Sequence, residues 1–201
     1  MKTILLNLLL FSSVSMLAEE GYKVGDKAAD FKLKNTDGQY VSLSDFNNAK
    51  GFVVIFTCNH CPFAKAYEDR IITLDKEYKE KGFPVIAINP NDPEIVPEDS
   101  YDSMKVRAKE KGFTFPYLFD NKQEVYKKYG ATRTPHVFLL KKTGDNLTVE
   151  YIGTIDDNYQ DESAVKEKYL ANAIDALIAG NKPDPDFTKA IGCTIKDKSK
   201  Q

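Results

Sequence analysis

The chain has 201 residues, of which 42% are hydrophobic and 29% charged, with a formal net charge of −2. Those values suit one soluble domain with a sizeable core, and they leave no basic footprint for nucleic acid. Three cysteines, two of them close together, exclude a small domain stapled by disulfides.

Met1-Lys2-Thr3 is a short basic start, Ile4 to Leu17 is almost wholly apolar, and Ala18 precedes Glu19-Glu20. Basic, apolar, then small is the order of a secretory signal peptide, so residues 1–18 are expected to direct export and be removed. Met16 departs from the small residue preferred there. Asn7 and the serines shorten the apolar run below a comfortable span for an uncleaved anchor, and nothing beyond the signal reads as transmembrane, so no stable membrane span is expected after cleavage. The implied location is periplasmic or secreted, where a disulfide can persist.

Phe31-Lys32-Leu33-Lys34, the turn Asn35-Thr36-Asp37-Gly38 and Tyr40-Val41-Ser42-Leu43 read as a β-hairpin. Gly51 to Thr57 is a continuous β-branched and aromatic run, predicting a strand buried on both faces and ending on Cys58. From Pro62, apolar residues recur every three or four positions through Phe63, Tyr67, Ile71, Leu74 and Tyr78, predicting a helix that stops by Gly82. A second buried strand is expected over 83–89, then a Pro- and Asp-rich loop and a helix over 103–111. Residues 115–120 read as extended and 124–129 as a short helix closed by Gly130. Segments 135–140 and 149–153 read as paired strands around Gly144-Asp145, and 165–178 as a last amphipathic helix. The order predicts an α/β domain over 19–185, with a mixed central sheet flanked by helices, an N-terminal hairpin extension and a looser tail over 186–201.

Cys58-Asn59-His60-Cys61 falls where a buried strand hands over to a helix. Helix N-terminal N–H groups and the macrodipole favour a thiolate there, and Pro62 costs little in the first turn. Structural zinc needs four ligands, and the chain offers neither a second Cys pair nor more than two histidines. So short a loop also makes a purely structural disulfide weak. Dithiol–disulfide chemistry is the reading that remains, with no bound cofactor beyond a redox-active Cys58–Cys61 disulfide and no metal.

Strand, C-x-x-C, helix and a later Thr134-Pro135 opening a strand resemble the thioredoxin superfamily. The hairpin residues Asp30 to Leu43 resemble its redoxin branch, which contains alkyl hydroperoxide reductase and thiol-specific antioxidant proteins. Cys58 to Phe63, Asn91-Asp92, Pro97 to Ser100, Phe115 to Leu118 and Ile191 to Lys196 are similar to a peroxiredoxin-like group within it. Asp197 stands where that group carries Trp. The resemblance implies a thioredoxin-like fold, a cis Pro135 against the disulfide, and Thr134 and His136 as substrate-facing groups. It further implies Cys58 as attacking thiol, Cys61 as resolving thiol and His60 as the neighbour that stabilises the thiolate. The expected partners are protein thiols or disulfides and an upstream redox partner.

A redoxin peroxidase places its cysteine in a Pro-x-x-x-Thr/Ser-x-x-Cys frame. Counting back from Cys58 gives Ile55 and Gly51, and from Cys61 gives Cys58 and Val54, so peroxide reduction is disfavoured. Copper held by two thiolates and His136 is the alternative that ligand softness supports. The direction of electron flow, the oligomeric state and the role of Cys193 stay open at this level.

Overall fold

The computed structural model describes residues 21–200, so the expected signal segment lies outside the described residues. Strands β1 (Lys27–Ala28), β2 (Lys32–Asn35) and β3 (Tyr40–Ser42) precede the central β4 (Gly51–Phe56). Helix α1 (Pro62–Tyr78), β5 (Val85–Asn89), α2 (Tyr101–Lys111), β6 (Tyr117–Phe119) and α3 (Val125–Tyr129) follow. The chain finishes with β7 (Arg133–Thr134), β8 (His136–Thr143), β9 (Asn146–Gly153), α4 (Tyr169–Ile178) and β10 (Cys193–Thr194).

Eight strands form one sheet in the order β1-β9-β8-β4-β5-β6-β2-β3. β4, β5 and β6 run parallel, while β8 and β9 form the antiparallel half and β2–β3 the N-terminal hairpin. The mixed sheet flanked by helices is what the element order predicted, and it has the thioredoxin-like architecture that the family resemblance implied. Because side chains alternate along a strand, β4 feeds two cores. Val53 and Ile55 join Val85, Ala87, Val137 and Leu139 beneath α1 and α4. Phe52, Val54 and Phe56 join Ile86, Ile88, Phe138 and Leu140 on the other face, under Tyr126 and Tyr129 of α3. This two-sided burial makes β4 an apolar run without alternation and fixes the strand that delivers Cys58.

The largest differences from the expected boundaries fall at two helix ends. Helix α1 ends at Tyr78, because Lys79 to Gly82 turn back so that the Phe83 N–H can reach the Tyr78 carbonyl. Helix α4 starts at Tyr169, preceded by an Asp161-capped turn over Glu162–Ala164. The stretch after residue 185 is held on the domain: Phe187 bridges Ile152, β10 pairs with β7, and Ile195 and Asp197 are buried. No helix among the described residues is long and apolar enough to cross a membrane.

Candidate active site

Cys58 leaves the end of β4 and Cys61 is the N-cap of α1, whose first residue is Pro62. The cap has an extended backbone and no side-chain oxygen to meet the orphan N–H groups, so the Cys61 sulfur itself lies among them. All three cysteines are free thiols, with Cys58 and Cys61 buried and Cys193 half-buried.

Both active-site sulfurs meet one residue. Cys58 Sγ lies 3.2 Å from Thr134 Oγ1, and the Cys61 thiol donates to the Thr134 carbonyl at 3.2 Å. The Thr134–Pro135 peptide is cis, as the resemblance implied. His60 Nδ1 stands 3.5 Å from Cys58 Sγ. The sequence reading thus has Cys58, His60, Cys61 and Thr134 in one cluster, next to Pro135. It does not bring His136 there. Its ring accepts from the Thr132 N–H at 3.2 Å and packs against Phe138, on the sheet face opposite α1.

A group that the sequence reading missed completes the site. Asp99, fully buried on the turn before α2, collects four N–H donors. Its Oδ1 accepts from the backbone N–H of Asn59 at 2.6 Å and of His60 at 3.2 Å. Its Oδ2 accepts from Asn91 Nδ2 at 2.7 Å and pairs with His60 Nδ1 at 2.6 Å. One carboxylate therefore shapes the Asn59-His60 turn and aims the imidazole. Asn59 is held further by its own amide to Glu98 O at 2.8 Å and by the Tyr117 hydroxyl at 3.0 Å. The signal for Asp99 was the Pro97 to Ser100 stretch, which only the family resemblance marked out.

The two active-site thiols share a proton unequally. The Cys58 thiol donates to the Cys61 sulfur, and this bond, burial and the Asp99 charge push Cys58 well above the ordinary thiol range. Cys61 is lowered to about 4, first by that bond from Cys58 and further by Cys193 and the Ala64 N–H, against burial. Loss of one proton from the dithiol therefore leaves the other shared between the two sulfurs, which titrate as a pair. Cys58, His60 and Asp99 hold ligand atoms within 4.8 Å of one another, close enough for one metal ion. The Asp99 oxygens are already satisfied by N–H donors, so the cluster is explained without one.

The family model described as the AhpC/TSA family matches residues 24–150. The thiol-disulfide oxidoreductase ResA of Oceanobacillus iheyensis is 32% identical over 148 residues, covering 71% of this chain and 73% of that protein. The crystal structure of an uncharacterized conserved protein from Geobacillus kaustophilus has 40% identity and a TM-score of 0.79, covering 88% of this chain and 93% of that one. A thiol:disulfide interchange protein of the thioredoxin family from Chlorobium tepidum shares the fold at a TM-score of 0.55 and 18% identity, over 70% of this chain and 93% of that one. This chain belongs to the AhpC/TSA family, as a thioredoxin-like oxidoreductase.

Proposed function

We propose that the chain is an exported thiol-disulfide oxidoreductase whose Cys58 and Cys61 exchange a dithiol for a disulfide with protein thiols. The observation that carries this reading is the convergence of both sulfurs on Thr134, at 3.2 Å each, beside a His60–Asp99 pair. Export rests on the Met1–Ala18 pattern, and a mature N-terminus at Glu19 in protein recovered from outside the cytosol is the expected check.

In the reducing direction, Cys58 passes its proton to Cys61 and attacks a substrate disulfide as the thiolate. One substrate sulfur leaves with the bonding electron pair and takes up a proton. Thr134 Oγ1 is placed to donate to the Cys58 thiolate while it forms, and the His60 ring, its Nδ1–H held by Asp99, stands 3.5 Å from the same sulfur. Cys61 then loses that proton and attacks Cys58 Sγ, the second substrate sulfur leaves, and the Cys58–Cys61 disulfide closes. The oxidising direction runs these steps in reverse. Both sulfurs are buried, and Cys58 is assigned the attack from the family resemblance, with the partly exposed His60 beside it, while Cys61, bonded to the Thr134 carbonyl, is assigned the resolving role.

Cys61→Ser is expected to accumulate a mixed disulfide between Cys58 and a disulfide-containing protein substrate, and Cys58→Ser is expected not to. Both variants should lose at least about 1,000-fold in dithiothreitol-driven turnover, since neither can complete the two-step exchange. Accumulation on Cys58→Ser alone would reverse the two roles, and full turnover in both would refute the reading. A reduction potential near about −270 mV identifies a reductase and one near about −120 mV an oxidant.

The copper alternative required His136 beside the sulfurs, and its ring is instead joined to Thr132 and Phe138.

A further inference from the structure

The third cysteine is built into the site rather than left on a tail. Cys193 in β10 pairs directly across from Thr134, the residue that touches both active-site sulfurs. Gly192 permits that approach, because a Cβ there would fall 2.3 Å from the Thr134 carbonyl oxygen. Downstream, the Lys196 N–H donates to Asn91 Oδ1 at 2.8 Å, and the Lys196 carbonyl accepts from the Asp92 N–H at 3.0 Å and Gln123 Nε2 at 2.8 Å. The buried Asp197 accepts from the Tyr126 hydroxyl and pairs with Lys127. These bonds anchor the chain immediately downstream of the strand. Cys193 packs against Cys58, Cys61 and Ala64.

We propose that Cys193 is a third redox-active thiol, which takes over the disulfide from Cys58 by forming Cys61–Cys193. This rests on the dithiol chemistry proposed above. Starting from the Cys58–Cys61 disulfide, the deprotonated Cys193 sulfur attacks Cys61 Sγ. The Cys61–Cys193 bond forms, the Cys58–Cys61 bond breaks, and Cys58 leaves with the electron pair and takes up the proton that Cys193 gave to solvent. No electron enters or leaves the protein, so no further oxidant is required. The consequence is an oxidised protein with a free Cys58. In the dithiol state burial and the adjacent Cys61 hold the Cys193 thiol up at about 11. Once Cys61 is in a disulfide its negative charge is gone, and Cys193 deprotonates more readily exactly when it is needed.

The test uses the full mature chain. Cys58→Ser and Cys58→Ala are each equilibrated folded in a glutathione redox buffer, acid-quenched, alkylated and mapped by mass spectrometry. Both are expected to lose two hydrogens in mass and to yield a Cys61–Cys193 linked peptide. In wild-type oxidised protein, a fraction with alkylated Cys58 and a Cys61–Cys193 linked peptide is expected beside the Cys58–Cys61 form. If both variants carry only glutathione adducts, with no linked peptide, the proposal is overturned. Cys193→Ser separates this failure from a failure of the C-x-x-C reading: it should still form Cys58–Cys61, and its inability to do so would refute that reading instead.

Discussion

Replacing Asp99 with Asn is expected to cost about 2–4 kcal/mol of stability, since each buried donor stripped of its acceptor costs about 1–3 kcal/mol. Four N–H groups converge on two carboxylate oxygens that are entirely removed from solvent. An asparagine offers one oxygen. If that oxygen keeps the Asn59 and His60 backbone donors, its NH2 group faces Asn91 Nδ2, and two donors then meet head to head. His60 can adapt by accepting at Nδ1, but Asn91 cannot adapt without giving up the backbone N–H of Lys196. The loss therefore spreads from the Cys58 turn to the anchored tail. Urea unfolding at neutral pH measures it, and a change within about 0.5 kcal/mol, the range of an ordinary surface substitution, would refute this role.

The same substitution separates positioning from mere support. After the bond to Cys61 and burial, the Asp99 charge is the next cause that raises Cys58. Removing it should move the onset of Cys58 alkylation to lower pH in the folded protein, measured in a Cys61→Ser, Cys193→Ser background. A residue that only stabilised the fold would leave that pH profile where it was. Leu43, buried in the opposite core and far from the thiols in function, supplies the comparison: Leu43→Ala should lower stability with no shift in the profile.

What the sequence made legible and what it hid follow from range. The β4 run, the α1 periodicity and the C-x-x-C between them are local patterns, and each was read to within a few residues. The 3.6-residue recurrence from Phe63 to Tyr78 reports a face buried along its whole length, so it survives as a signal. Asp99 was hidden because its work is done on residues some forty positions earlier, and an acidic residue in a Pro-rich loop looks like any solvated turn. The two-residue strand at Cys193 is too short to show alternation, and its anchors at Asn91, Gln123 and Tyr126 are long-range. His136 shows the converse case. It is next to Pro135 in the chain, yet strand alternation sends its ring to the face of Phe138, while Val137 takes the α1 side. Adjacency in sequence located its backbone and misled about its side chain.

That buried ring sets the second large effect, an acid-side loss of stability. Desolvation lowers His136 from 6.5 to about 4 in the folded protein. In the unfolded chain the imidazole titrates near about 6.5, so between these two values the unfolded state binds the extra proton and the folded state does not. Stability from this residue is fully present above about pH 6.5 and is lost as the pH falls toward 4, by about 3 kcal/mol over the whole window. Below the folded value both states are protonated and the loss levels off. His136→Asn keeps an acceptor for the Thr132 N–H but removes the titration. Urea midpoints for wild type and the variant, taken at several pH values between 7.5 and 4, should therefore diverge, with the wild type falling more steeply. The carboxylates that also titrate near the acid end are common to both proteins and cancel in the difference. Parallel curves would mean that the ring reaches solvent or a proton acceptor in the native state, and the burial argument for His136 would fail with them.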